Sequence, residues 1–351
     1  MIRTPACIFF LVVIVPAHVY AQEVSFDFAY VGNIGNAPDP LTDKGAVAYG
    51  YSISKFEVTN AQYVEFLNAV AATDNFGGVE PTLYNTMMAS DGRGGIVRSG
   101  SPGNYTYSVK RNFGNKPVNF VSFYDAMRFT NWLHNGQGDG DTEAGAYTIE
   151  NNFIETRSPG AKYWIPSEDE WYKAAYHQPA SQGGDTDDYW AYPTASNIEP
   201  LSALSNSTGD ISNPGANVAN YGAGAEWGGE VGNVTTVGSA GLLSSSFYGT
   251  FDQAGNVAEW NDGPGISVLR FLGGGGFTSI TAASDLSTEG ILIFDFPFRE
   301  NAQFGFRVAS YIPEPSTLLM LALLSPLLIS RERCSRTQAR GKYLCVRISS
   351  G

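Results

Sequence analysis

The sequence has three cysteines in 351 residues, at Cys7, Cys334 and Cys345, and none between them. The long stretch from 22 to 333 therefore forms no disulfide and carries no thiol chemistry of its own. Histidine is equally scarce, with only His18, His134 and His177. His18 falls in the N-terminal run, and two isolated histidines do not make a three-histidine zinc site. His134 and His177 each fall near the end of an expected helix, where a partly exposed imidazole would complement the helix dipole. Charge is also low, at 16% of residues. Aromatics are 13% and glycines number 40. Few charges with many aromatics exclude a disordered chain, and the glycines argue for a loop-rich globular body rather than a helical bundle.

Both ends differ from that body. Residues 1–21 read as a secretory signal, with Arg3, an apolar run from Ala6 to Pro16 and a small-residue cleavage site at Val19-Tyr20-Ala21. Near the other end, Leu318 to Ile329 is apolar and is followed by Arg331, Glu332 and Arg333. A full membrane span needs about 20 apolar residues. This run is shorter and is interrupted by Ser325 and Pro326.

The chain has 21 Lys and Arg against 34 Asp and Glu, a net charge of −13. One base lies in 1–21, and six bases with one acid lie in 331–351, leaving the body 14 bases and 33 acids, a net of −19. Such a surface repels phosphate backbones, so nucleic-acid binding is not expected, while cations are tolerated or recruited.

Along the body, Val24 to Val31 and Ala46 to Val58 read as strands. Thr59 is an N-cap for a helix whose apolar face is Tyr63, Phe66, Leu67 and Val70. Residues 71–115 read as a long surface loop with one strand-like piece, Tyr105 to Val109. Ser122 and Asp125 cap a second helix with Ala126, Phe129, Thr130 and Leu133 on one face, ended by Asn135-Gly136. A possible strand follows at Ala146 to Glu150. Ser167 and Glu170 form a capping box for a third helix, whose inward face is Trp171, Ala174 and Ala175. From Gln178 to Thr250 the chain is irregular, and short strands return at Arg270 to Leu272 and Phe304 to Ala309. Helices early and irregular strands late predict an α+β, coil-rich fold.

The ten residues Phe251 to Trp260, FDQAGNVAEW, contain two carboxylates, Asp252 and Glu259, around the turn signal Gly255-Asn256. Such a stretch can gather carboxylates and carbonyls about one point, as a calcium ion requires with its roughly six to eight oxygen ligands. It can equally be a tight polar turn closed by a buried Trp.

Several segments in order resemble the sulfatase-modifying-factor family, that of the formylglycine-generating enzyme. They are Phe56-Glu-Val-Thr-Asn with Tyr63 and Phe66; Pro117-Val with Ser122-Phe-Tyr-Asp-Ala; and Ile165-Pro-Ser-Glu-Asp-Glu-Trp with Ala174-Ala175. Then come Gly255-Asn-Val-Ala-Glu-Trp, Gly273-Gly and Gly305-Phe-Arg-Val-Ala. The resemblance spans Ala46 to Ser310 and implies a variant of the C-type-lectin-like fold, with two to three short helices on short irregular strands. It also implies structural calcium at the opening turn, through the side chains of Asp252 and Glu259 and the carbonyls of Gly255 and Val257. A second implied calcium site takes the Asn217 side chain and the Val218 carbonyl, with Glu230 as acidic partner. The family's oxidase chemistry implies a close pair of copper-binding cysteines between the Gly-Gly strand and the Gly-Phe-Arg segment. That window, Thr278 to Gln303, holds Ser279, Ser284 and Ser287 but no cysteine. A hydroxyl does not replace a soft thiolate for copper(I).

The C-terminal Ile312-Pro-Glu-Pro-Ser-Thr, the apolar run and Arg331-Glu-Arg resemble a PEP-CTERM sorting signal. This implies export in a Gram-negative-type bacterium, transient membrane anchoring and processing by an exosortase-type enzyme. The basic tail 334–351 departs from that pattern. The organisation expected is thus a signal at 1–21, a family domain at 22–311, a sorting segment at 312–333 and the tail.

Three functions follow. The first is an exported, calcium-stabilised, non-catalytic module that binds an extracellular polysaccharide or protein ligand, with Tyr189, Trp190 and Tyr192 as stacking surfaces for sugars. The second is an enzyme with a non-cysteine site, for which the clustered Asp185, Asp187 and Asp188 are the carboxylates available to hydrolytic chemistry. The third is a structural matrix or surface-layer protein.

Overall fold

The computed structural model describes residues 23–74, 82–150, 153–263, 268–281, 285–290 and 293–311. The expected signal, sorting segment and tail lie outside them. Among the described residues, no helix is long and apolar enough to cross a membrane.

Three helices begin where local side chains satisfy the first free amides. In α1 (Asn60–Val70), Thr59 accepts from the Gln62 amide while Gln62 reaches back to the Thr59 amide at 2.9 Å. Ser122 and Asp125 do the same for α3 (Phe123–His134), and Ser167 and Glu170 for α4 (Glu168–Tyr176). These reciprocal boxes fix the entry of each helix into the core. Helix α3 is buried along nearly its whole length. Its Phe129 packs against Tyr63 and Phe66 of α1 and against Phe306, with ring centroids 5.3–5.9 Å apart. That aromatic knot is the centre of the main core.

The strands are short. A first antiparallel sheet has the order β1 (Phe28–Val31), β2 (Tyr51–Ser54), β12 (Ala309–Ser310), β5 (Tyr163–Trp164). Its register places Ala309 opposite both Ile53 and Trp164, so the end of the domain closes on its beginning. A second sheet has the order β10 (Ile293–Asp295), β9 (Arg270–Gly273), β8 (Ala258–Trp260), β11 (Phe304–Gly305). Here β11 runs parallel to β8 and the other pairs are antiparallel. Two-residue strands β6 (Leu201–Ser202) and β7 (Val218–Ala219) form a small parallel pair. The fold is α+β and coil-rich, as the sequence predicts.

Several expectations are corrected. Residues 71–115 are not merely surface loop. They contain the one-turn helix α2 (Met87–Ser90) and an antiparallel hairpin of β3 (Ile96–Ser99) and β4 (Thr106–Val109). Leu83, Tyr84, Met88, Ile96 and Tyr107 of this segment are buried in the main core. Ala146 to Glu150 is no regular strand. The Asn131 side chain takes the part of a strand partner, accepting from the Tyr147 amide at 2.8 Å and donating to its carbonyl at 3.1 Å.

The histidines do not serve helix dipoles as cations. His134 accepts a hydrogen bond from the Lys162 amide at Nδ1, and burial lowers its pKa. His177 is buried against Tyr189 and Tyr248, and burial lowers it to about 4. Tyr189 and Tyr192 are buried rather than presented to solvent, and the Trp190 indole N–H is held by Gln178.

Candidate functional site

The stretch Phe251 to Trp260 is a turn feeding a central strand. Asp252, Gly255 and Asn256 all take positive φ, at 58°, 81° and 59°. At Gly255 only glycine fits, because a Cβ would stand 2.2 Å from the Asn220 carbonyl oxygen. Asn256 uses its side chain as a clamp. Its Oδ1 accepts from the Thr235 amide at 2.8 Å and its Nδ2 donates to Glu57 Oε1 at 3.0 Å. The chain then enters β8, where the Trp260 indole donates to the Val121 carbonyl.

Beside this turn lies a buried cluster of acids around one arginine. Glu259 and Arg307 are both fully buried and meet side by side. Arg307 Nε donates to Glu259 Oε2 at 2.5 Å and Nη2 donates to Oε1 at 2.6 Å. The Trp171 indole adds a third bond to Oε2 at 2.8 Å. The remaining N–H groups of Arg307 reach the carbonyls of Ser54, Lys55 and Phe251. Asp252 accepts from the Gly238 amide at 2.5 Å, and burial raises its pKa to about 6, with Glu259 adding to the rise. Glu57 is raised well above the usual carboxylate range, by burial first and then by Asp252 and Glu259. Among the described residues its buried Oε2 has no hydrogen-bond partner.

This donor set fits the implied calcium poorly. Glu259 Oε2 accepts from Arg307 and Trp171, and Oε1 from Arg307. A divalent ion on those oxygens would stand against a desolvated guanidinium. Among the described residues, no three His, Cys, Asp or Glu side chains converge closely enough to hold a metal ion.

The second implied set is not brought together. Asn217, at φ 56°, accepts from the Thr194 hydroxyl at 2.5 Å and donates to the carbonyls of Ile198 and Glu199. The Val218 amide is tied to Ser244. Glu230 instead pairs with Arg93 at 2.9 Å. Val218 and Asp252 do share one feature, a water-sized cavity of about 10 Å³ also bordered by Thr194, Ser244, Thr250 and Gln253.

The aspartates considered for hydrolysis act locally as loop caps. Asp185 accepts from the Thr186 amide, Asp187 from that of Tyr189 and Asp188 from that of Ala180.

A larger opening lies where the resemblance places the cysteine pair. It is an open depression of about 230 Å³ bordered by Ala258, Gly276, Thr278, Ser279, Ile280, Asp285, Gln303 and Phe304. Close backbone turns shape it. A Cβ on Gly276 would stand 2.7 Å from Gln303 Oε1. Ser279 Oγ accepts from the Gly276 amide at 3.0 Å, and Gln303 Oε1 from that of Thr278 at 3.2 Å. The Phe304 ring, partly buried, stands edge-on to Trp260 at 5.3 Å. Hydroxyl, amide and carboxylate groups therefore share one opening with the Phe304 ring and the exposed Ile280.

Glu57 and Arg307 belong to the resembling motifs, but the sequence alone gives neither a role at this site. The signal was present: each is a single charge among apolar neighbours, in Phe-Glu-Val and Gly-Phe-Arg-Val. A charge in such a setting is buried only with a partner.

The family model described as the sulfatase-modifying factor enzyme 1-like domain (FGE-sulfatase) matches residues 29–312. No curated protein matches the chain. Among solved structures, Treponema denticola variable protein 1 is 17% identical with a TM-score of 0.46, covering 84% of this chain and 98% of that one. CarF is 19% identical with a TM-score of 0.47, covering 82% and 99%. PvdO from Pseudomonas aeruginosa is 18% identical with a TM-score of 0.43, covering 82% and 91%.

Proposed function

The chain belongs to the sulfatase-modifying factor enzyme 1-like family, and we propose that it is a non-catalytic member that uses the depression beside Gly276 and Gln303 to bind a neutral polyhydroxylated ligand such as an extracellular polysaccharide. One observation carries this reading. The window that holds the family's thiol pair has no cysteine here, yet it keeps an open pocket of about 230 Å³. Thiolate chemistry has no substitute in Ser279, whose oxygen already accepts the Gly276 amide.

The chemistry of the lining supports a sugar. Planar amide and carboxylate groups such as Gln303 and Asp285 can each bridge neighbouring hydroxyls, and the Thr278 and Ser279 hydroxyls both give and accept hydrogen bonds. The acidic body, at −19, disfavours polyanions. The sequence features at 1–21 and 312–333 support export to a polysaccharide-bearing surface.

A glycan array probed with the full chain and with Gln303→Ala tests the proposal. The account expects neutral glycans to be retained by the wild type and lost by the variant. Retention of no glycan favours a structural matrix role instead.

A further inference from the structure

The family resemblance implies calcium at the turn Phe251 to Trp260, and the donors there are already in use. Arg307 spends its five N–H groups on five contacts. Two go to Glu259, one to the Phe251 carbonyl of the turn itself, and two to the Ser54 and Lys55 carbonyls at the end of β2. Main-chain carbonyls from two segments and both oxygens of one carboxylate are what a hard cation would collect. A planar guanidinium, charged at every physiological pH, can collect them as well.

We infer that Arg307 is the resident cation of this site, holding the turn in place of calcium. Three observations agree on it. Glu259 Oε2 already accepts two bonds, from Arg307 and the Trp171 indole. Arg307 is fully buried, so its charge has no water to turn to if a metal displaced it. The two other acids in reach are left short of positive charge. Among the described residues Glu57 Oε2 has no hydrogen-bond partner, and Asp252 has the Gly238 amide as its donor. One guanidinium stands against three carboxylates.

The consequence is a turn that is indifferent to calcium until its arginine is removed. Without the guanidinium, Glu259, Asp252 and Glu57 remain as uncompensated buried carboxylates around freed carbonyls, a set that a hard cation neutralises.

The test uses the full chain in its wild-type form and as Arg307→Gln, Arg307→Lys and Asp252→Ala. Thermal midpoints are read in EDTA and in millimolar calcium, with calcium binding followed by isothermal titration. The inference expects the wild-type midpoint to be the same in both solutions. It expects Arg307→Gln to melt lower in EDTA and to be restored in part by calcium, with Arg307→Lys between the two. Calcium binding by the wild type that Asp252→Ala abolishes would overturn it, and so would a wild-type midpoint that falls in EDTA and does not fall in Asp252→Ala. Wild-type binding that Asp252→Ala leaves intact lies elsewhere and upholds it. If Arg307→Gln does not fold, the wild type and Asp252→Ala still decide.

Discussion

Glu259 and Arg307 form a two-point ion pair, at 2.5 and 2.6 Å, from which water is excluded on every side. The pair joins β8 to the approach of β12, and through the Ser54 and Lys55 carbonyls it also grips the first sheet. Removing one partner leaves the other charge buried alone. Glu259→Gln should therefore cost about 3–5 kcal/mol, read as a lower denaturant midpoint. Replacing both partners with apolar residues should recover part of that loss. A double variant no more stable than the worse single one would show that the carbonyl contacts of Arg307, not the pair, carry the energy.

A second carboxyl pair predicts a pH dependence. Glu300 is exposed as a residue, but desolvation where its carboxyl donates a hydrogen bond to the buried Asp125, together with the Asp125 charge, raises Glu300 to about 8. Burial raises Asp125 to about 6, opposed by Arg128 and the Ser122 cap. Asp74 and Asn85 also face Glu300, the first raising its pKa and the second lowering it. Both folded values exceed the ordinary carboxylate pKa of about 4. The folded state thus binds more protons than the unfolded state between about pH 4 and 8. The contribution is full below that window and is lost as pH rises through it. Glu300→Gln keeps an N–H donor for Asp125 and removes the Glu300 part of the titration. Denaturant melts across this range should show a flatter decline than the wild type, and an unchanged slope would refute the shared proton.

Two glycines separate backbone strain from collision. Gly103 has φ 88° and open space where a Cβ would go. Gly103→Ala should cost about 1–2 kcal/mol, the strain of the left-handed region alone. Gly255 has φ 81° and the Asn220 carbonyl against it. Gly255→Ala adds a clash with main chain that cannot rotate away, so a loss of about 3–5 kcal/mol is expected in chemical denaturation. Equal losses at the two positions would mean that the turn can shift.

The absence of cysteine from 22 to 333 predicts no aldehyde product. A sulfatase-derived peptide incubated with the full chain, copper(I) and oxygen should keep its cysteine, as followed by mass spectrometry. Formation of formylglycine would end the non-catalytic reading.

Much of the fold was legible because its signals are local. Thr59, Ser122 and Ser167 each act on an amide within three positions, so the helix starts can be read directly from the sequence. The hairpin of β3 and β4 was half missed, because four-residue strands flanked by glycine and serine give little periodicity. Its burial depends on tertiary contacts, such as the stacking of Arg98 over Tyr84 and Tyr105. The opening turn was legible as a turn, but its closure was not. Arg307 reaches Ser54 across 253 positions of sequence, and no local pattern announces such a partner. The histidines misled for the same reason. His177 sits at a helix end as expected, while Tyr248, far along the chain, covers it.

The pocket is the most direct test of the account. Isothermal titration of a soluble neutral polysaccharide into the full chain, beside Gln303→Ala and with thermal midpoints read in parallel, measures whether Gln303 meets a ligand. Saturable binding is expected of the wild type and binding about tenfold weaker of the variant, the loss of one to two hydrogen bonds, with only a small fall in midpoint from the lost Gln303–Thr278 contact. Equal binding by both proteins, or no binding across a panel of neutral glycans, would contradict it.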